Sequence, residues 1–161
     1  MSIAAVVAEE ANEFSSVIIP APGTNLLLPN ICVAEILPWC RTKALEGTPA
    51  WCLGLFSWRG QRLPVVNFMA FNEPQSQPPQ SARCLIVMNR SRTREGPIFY
   101  ALASTGMLRM LQLLDGDVTD ADQSLGIADV MKVEVAMETA TIPNLEFVEQ
   151  QVAALDLQPT Q

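Results

Sequence analysis

The sequence predicts an all-β fold of barrel type that carries one C-terminal helix. Apolar residues fall into short runs with β-branched side chains, no run alternates with helices as in a βαβ unit, and one amphipathic helical pattern occurs late in the chain. With 161 residues, of which 49% are apolar and 17% charged, the chain suits one domain with a real core. We expect a folded unit at 14–156, an N-terminal tail at 1–13 and a C-terminal tail at 157–161.

Four strands and one helical turn are predicted in the first half. The strands cover residues 14–20, 26–28, 51–58 and 62–68. Asn30 can cap a helical segment over 31–37, because the apolar side chains recur at helical spacing until Pro38 stops the segment. The third and fourth strands are joined by a glycine-bearing linker and form a hairpin. Pro64 lacks an N–H, which predicts that the returning strand is irregular or at a sheet edge.

The second half continues with short strands and ends in a helix. Strands are predicted at 84–88, 98–103 and 130–137, whereas 107–114 fits a strand or a helical turn equally well. Polar loops are predicted at 73–81, 89–96 and 115–122. Asn144 can cap the final helix, whose apolar stripe consists of Leu145, Val148, Val152 and Leu155.

Composition excludes several classes of function. The chain has no histidine, which removes Ser-His-Asp and Cys-His catalysis and histidine-ligated zinc. Its four cysteines show no metal-binding spacing, so we expect free thiols in a reducing cytoplasm and no metal or cofactor. The loop 115–122 lacks the glycine and glutamate that a calcium loop needs at its sixth and twelfth positions.

Charge and the N-terminus argue against nucleic-acid and membrane binding. The net charge is −7, whereas nucleic-acid binding requires basic surfaces. The N-terminus has no basic region of a signal peptide, and the uncharged stretch 14–34 is broken by prolines and asparagines, so no membrane insertion is expected. Residues 1–110 hold 7 acidic and 9 basic groups, and 111–161 hold 10 acidic and one basic. This asymmetry serves solubility or steers a contact with an acidic partner.

The predicted hairpin holds an unusual set of side chains. Trp51, Phe56 and Trp58 surround a turn that contains Arg59 and Gly60. One interpretation assigns the aromatic residues to the core. The other is a protein interface, since arginine and large aromatic residues are typical interface anchors.

Two blocks of the sequence resemble CheW-like domains, the adaptor modules of bacterial chemosensory arrays. The first block is the pattern Gly54-x-x-x-x-Arg59-Gly60-x-x-x-Pro64-Val65-Val66, which resembles the characteristic hairpin of the family. The second block, upstream, is Leu28-Pro29 followed by Val33-Ala34-Glu35-Ile36, which resembles the family's strand and Val-x-Glu-Ile turn. The order and spacing of both blocks agree with the family, and the resemblance covers roughly residues 14–155.

The resemblance implies a fold, a role and a set of contact residues. The fold is two SH3-like barrels that share a hydrophobic core, with a short helix after the second strand and a C-terminal helix. The role is that of a cytoplasmic, non-enzymatic adaptor between the cytoplasmic tips of methyl-accepting chemoreceptors and the regulatory domain of a CheA-type histidine kinase. Partner contacts are implied at Val33, Glu35, Ile36, Gly54, Arg59 and Gly60.

Other positions depart from the family pattern. Val66-Asn67-Phe68 replaces the usual Val-Asp-Leu, and residues 103–106 replace a Val-Asp-x-Val block. The helix entry Ile142-Pro143-Asn144-Leu145 most resembles the ChpC or PilI adaptors of type IV pilus (twitching motility) systems. The departures leave open whether receptor and kinase contacts are both retained.

Two other classes of function compete with the adaptor. A small-ligand-binding β-barrel would line its interior with Trp39, Trp51 and Trp58. A histidine-free enzyme would require clustered, buried carboxylates, whereas the sequence places most carboxylates in polar loops.

Overall fold

Eleven strands and two α-helices make up the part of the chain that the computed structural model describes, namely residues 14–42, 46–75, 79, 81–89, 99–114 and 116–155. The strands are β1 Phe14–Ala21, β2 Thr24–Pro29, β3 Val33–Pro38, β4 Cys52–Trp58, β5 Gln61–Val66, β6 Cys84–Met88, β7 Tyr100–Ser104, β8 Arg109–Leu113, β9 Thr119–Asp120, β10 Asp129–Val135 and β11 Glu138–Pro143. The helices are α1 Met69–Asn72 and α2 Leu145–Ala154, and a single 3-10 turn covers Asn30–Cys32.

The strands form two sheets, and each sheet encloses its own apolar cluster. The six-stranded sheet has the order β8-β1-β2-β11-β10-β9, and the five-stranded sheet has the order β3-β6-β7-β5-β4. Ile18, Leu27 and Val133 belong to the cluster of the first sheet, and Phe56 and Leu85 to that of the second. The predicted all-β fold with two SH3-like subdomains is confirmed.

A third cluster is shared by the two sheets. It combines Val17 and Leu26 of the first sheet with Val66 and Ile86 of the second, and Val148 of α2 packs into it. Because successive side chains of a strand point to opposite faces, β1 contributes to both its own sheet's cluster and the shared one. This shared core joins the two barrels, as the resemblance implied.

The prediction of a helical segment over 31–37 was wrong beyond its first residues. Within this segment only the Asn30–Cys32 turn is helical. Pro29 occupies its N-cap position and makes no side-chain hydrogen bond, so Asn30 is not the cap. Residues 33–38 form β3, whose register against β6 shifts between Val33 and Glu35. This bulge places Ala34 as an extra residue and puts Val33 and Ile36 on the same face. The bulge thus gives Val33 and Ile36 the three-residue spacing that the sequence analysis interpreted as helical.

Other elements agree with the predicted order but differ in extent. Residues 84–88 form a strand as predicted, and 107–114 contains β8 rather than a helical turn. β11 was not predicted as a strand, and β9 lies within the predicted acidic loop. β5, which contains Pro64, is an inner strand and not an edge, although its register against β4 is irregular as expected.

The C-terminal helix follows its predicted pattern. Asn144 Oδ1 accepts a hydrogen bond from the Phe147 backbone N–H at 3.1 Å, which is the expected N-cap. Val148 and Val152 are buried, and Leu145 and Leu155 pack against the shared core. No helix among the described residues is long and apolar enough to cross a membrane. Both predicted tails and most of the predicted loop 89–96 lie outside the described residues.

The Tyr100 hydroxyl is a buried polar group in β7 that lacks a hydrogen-bond partner among the described residues. The residue is 1% exposed. Burial raises the pKa of its phenol well above the ordinary value, and the nearby Glu149 and Cys32 add to this effect. An unsatisfied buried hydroxyl costs about 1–3 kcal/mol, so its removal favours the folded state.

We expect Tyr100→Phe to raise the free energy of unfolding by about 1 kcal/mol at neutral pH. Above pH ~10 the unfolded chain releases the phenol proton while the folded chain retains it, so the wild-type protein loses stability as pH rises. The phenylalanine variant lacks this loss. Urea unfolding of both proteins at pH 7 and pH 10.5 measures the difference, which should widen at the higher pH. A constant difference would contradict the assignment.

Candidate functional site

The turn between β4 and β5 presents Arg59 and Gly60 to solvent. Trp58 pairs with Gln61, which leaves a two-residue loop. The φ angles of Arg59 and Gly60 are +49° and +78°, the combination that a type I′ hairpin turn requires. Glycine meets this requirement at no steric cost, whereas arginine adopts the left-handed region less readily. The chain therefore has a charged side chain at a position where a small residue would fit more easily.

Three side chains meet beside this turn. The Trp58 indole Nε1–H donates a hydrogen bond to Glu35 Oε2 at 2.5 Å. Arg59 Nη2 lies 3.6 Å from the same carboxylate oxygen. The Arg59 guanidinium carbon lies 4.7 Å from the centroid of the Trp58 ring, in the range of a cation–π contact. We call Glu35, Trp58 and Arg59 the hairpin triad.

The triad joins strands from opposite ends of the five-stranded sheet. Glu35 is in β3 and Trp58 is in β4, the two edge strands of the sheet. The Thr42 hydroxyl, after β3, also donates to the Leu53 carbonyl of β4 at 3.0 Å. The sheet therefore curls until its edges meet, and this closure brings Glu35 to the hairpin turn.

Charge alone would hold the triad only weakly. The side chain of Arg59 is 69% exposed and that of Glu35 is 34% exposed. Exposed ion pairs contribute about 0–1 kcal/mol, because solvent screens them and long side chains lose entropy. Trp58, by contrast, is 8% exposed and packs in the second sheet's cluster.

The structure brings some of the predicted contact residues together and separates others. Glu35, Arg59 and Gly60 lie at one end of the barrel. Val33 and Ile36 are half-buried on the opposite face of β3, where they pack against the shared core. From the sequence, Trp58 was interpreted as a core residue, an interface residue or part of a ligand-binding interior, and was not connected with Glu35. Its place next to Arg59 is the one signal that could have linked it to the charged pair.

Gly54 lies inside β4 and not on the surface. It is buried, its φ is +130°, and the register of β4 against β5 shifts between Cys52 and Leu55. Glycine adopts this conformation without strain, and bulges often use it. Gly54 therefore shapes the strand that carries Trp58 and the turn.

The three tryptophans do not line one interior. Trp51 is in the shared core and stacks on Phe71 with ring centroids 5.3 Å apart. Trp58 and Trp39 belong to the separate cluster of the second sheet. A cleft of about 740 Å³ beside the β1–β2 turn and α1 is lined mainly by polar side chains and by no tryptophan. The small-ligand barrel is therefore not favoured.

Carboxylates and thiols form no catalytic arrangement among the described residues. The buried polar side chains described there are Ser16, Asn67, Ser104 and Thr141, without a carboxylate. No group of three or more acidic or cysteine residues in these ranges could hold a metal. All four cysteines are free thiols, and burial raises the pKa of Cys52, which keeps it protonated at neutral pH.

Comparison with known proteins places these features in a family. The model of the CheW-like domain matches residues 16–145, more than half of the chain. The solved structure of the scaffolding protein TtCheW from Thermoanaerobacter tengcongensis superposes with a TM-score of 0.66 at 13% sequence identity. The match covers 84% of this chain and 87% of that one, and at such low identity it establishes the fold. A comparison with curated proteins gives no match.

Proposed function

This chain belongs to the family of CheW-like domains, and from that membership we propose that it is a non-enzymatic adaptor that couples chemoreceptors to a histidine kinase. The observation that supports this role most directly is the hairpin triad. An exposed arginine stands at a fixed turn of a CheW-like fold, beside a buried tryptophan that also holds Glu35. Such an arrangement suits recognition of a protein surface, because exposed arginine is a frequent anchor of protein interfaces.

Arg59 is the residue that makes the directional contact in this proposal. One guanidinium nitrogen lies 3.6 Å from Glu35 Oε2, and the guanidinium carbon lies over the Trp58 ring. Its exposed N–H groups can donate to a carboxylate or a backbone carbonyl of a partner, and a charged donor makes such hydrogen bonds stronger than neutral ones. Val33 and Ile36 act behind this surface by packing β3 onto the shared core, which fixes the strand that carries Glu35.

The proposed partners follow from the resemblance stated for the sequence. They are the regulatory domain of a CheA-type kinase and the cytoplasmic tip of a methyl-accepting chemoreceptor, in the cytoplasm. We further propose that the system controls twitching motility through type IV pili, which is supported by the Ile142-Pro143-Asn144-Leu145 entry to α2. The folded unit is proposed to span 14–156.

Binding of the purified chain to a CheA-type regulatory domain tests the proposal. Isothermal titration with that domain, and separately with a receptor-tip fragment, is expected to give saturable binding to at least one of them. Small apolar compounds should leave the tryptophan fluorescence unchanged. If neither protein binds and an apolar compound quenches the fluorescence, the adaptor role is wrong and the ligand-binding barrel is supported.

A further inference from the structure

We propose that Trp58 is a positioning residue, which holds Glu35 and Arg59 in one arrangement and thereby sets how Arg59 is presented to a partner. This inference rests on the proposed adaptor function for its binding consequence, but not for its structural content. Trp58 contacts both charged side chains and is itself buried. Its indole N–H binds the carboxylate, and its ring supports the guanidinium.

Trp58 can position its neighbours because it is itself fixed. Its ring lies 5.1 Å from the Phe99 ring centroid at an interplanar angle of 51°. Below the turn it shares a buried cluster with Phe56, Leu63 and Val65. A large, rigid ring loses little conformational entropy when it forms a contact, whereas a free arginine side chain loses a great deal. The buried ring thus reduces the entropic cost of ordering Arg59.

The carboxylate of Glu35 is also held by Trp58. Glu35 Oε2 receives both the indole N–H at 2.5 Å and the approach of Arg59 Nη2 at 3.6 Å. The shorter of these two contacts is the one to Trp58, and it is charge-assisted, because the acceptor is a carboxylate. The contact with the tryptophan is therefore the closer restraint on Glu35, and Arg59 faces a carboxylate whose position that hydrogen bond defines.

This arrangement restricts the chemistry of the partner. The Trp58 ring lies on one side of the Arg59 guanidinium, whose carbon is 4.7 Å from the ring centroid, so a partner approaches the group from the sides that the ring leaves open. An acceptor that lies in the guanidinium plane, such as a carboxylate on the partner, can bind two N–H groups at once. Lysine presents no planar donor set and stacks less well, so it cannot replace Arg59 here. We infer that the site selects a partner with an exposed acidic side chain.

Trp58→Phe and Glu35→Gln test the positioning role. Phenylalanine keeps an aromatic ring under Arg59 but lacks the N–H donor, and the matched control is Trp39→Phe, which changes another tryptophan of the same cluster. Two-dimensional NMR of the wild-type chain should show a Trp58 Nε1–H resonance that exchanges slowly and shifts in Glu35→Gln. The Trp39 resonance should not shift in that variant. These readouts require no partner, so they remain informative if the adaptor proposal fails.

Binding to the kinase regulatory domain gives the second readout. We expect Trp58→Phe to weaken binding about 5-fold with an unchanged fold, and Trp39→Phe to leave it unchanged. When Arg59→Asn is already present, adding Trp58→Phe should not weaken binding further, because Trp58 acts through Arg59. The proposal would be overturned if the Trp58 Nε1–H resonance did not shift in Glu35→Gln. It would also be overturned if the losses of affinity caused by Trp58→Phe and Arg59→Asn were additive in the double variant.

Discussion

Gly54→Ala is expected to lower the free energy of unfolding by about 3 kcal/mol, which is a large share of the ~5–15 kcal/mol that stabilises a typical domain. The φ of +130° at this position is rarely adopted by residues with a Cβ atom, and such strain costs of order 1–3 kcal/mol. The position is also buried, so the added methyl group meets a packed environment, which typically costs a further ~1–3 kcal/mol. Alanine reduces the entropy of the unfolded chain, and this offsets part of the loss.

Gly47→Ala is the matched control for this variant. Gly47 also has a positive φ, +76°, but it is exposed and a Cβ atom there would meet nothing within 4 Å. It should lose only about 1 kcal/mol, the cost of the left-handed conformation. Urea unfolding of the two variants and the wild-type chain measures the extra loss that the +130° backbone and the burial of Gly54 cause together. Equal losses in both variants would show that neither feature adds to the cost of the left-handed conformation.

The burial of Gly54 also changes how a binding defect there should be interpreted. The sequence resemblance places Gly54 among the partner contacts, whereas the structure places it beneath the surface, in the bulge of β4. A substitution at Gly54 would reach a partner by displacing Trp58 and the turn that follows. We therefore expect any loss of binding in Gly54→Ala to accompany a loss of stability, and not to occur in a fully stable protein.

Local patterns were sufficient to predict elements whose packing is regular. Residues 84–88 are buried on both faces and form an uninterrupted apolar run, and the stripe of α2 follows helical spacing with Asn144 at its start. Each of these signals lies within twelve consecutive residues, so the sequence alone contained it. The hairpin turn at Arg59 and Gly60 is similar, because a two-residue turn is specified by its own residues.

The bulges and the edge-to-edge contact could not be predicted in the same way. An extra residue in β3 changes the face of every later side chain, and no local composition marks it. Glu35 and Trp58 are 23 residues apart, and they meet only because the sheet closes on itself. The sequence resemblance did name Glu35 and Arg59 as contacts, but the tryptophan that joins them required the three-dimensional arrangement.

The structure also sharpens the charge asymmetry. Among the described residues, the six-stranded sheet, its loops and α2 include Asp117, Asp120, Asp122 and Asp129, while Arg59 is at the turn of the other sheet. The six-stranded sheet also carries Arg109 and Lys132, so the asymmetry is a difference in net charge and not a division into an acidic and a basic surface.

Arg59→Asn should weaken binding to the partner by at least 10-fold, about 1.4 kcal/mol, while the fold remains intact. Asparagine tolerates the left-handed conformation and, followed by Gly60, forms the preferred type I′ turn, so the hairpin should keep its geometry. The variant therefore removes the guanidinium without removing the turn. Circular dichroism and urea unfolding should match the wild-type chain within about 0.5 kcal/mol.

Arg62→Asn provides the matched control, because it removes the same charge from an exposed position of the same hairpin. General electrostatic steering acts mainly on the association rate, whereas loss of a specific charged hydrogen bond acts mainly on the dissociation rate. Surface plasmon resonance with the kinase regulatory domain should therefore show faster dissociation in Arg59→Asn and, at most, slower association in Arg62→Asn. Equal changes in the two variants would mean that the charge of the hairpin matters and the position of Arg59 does not.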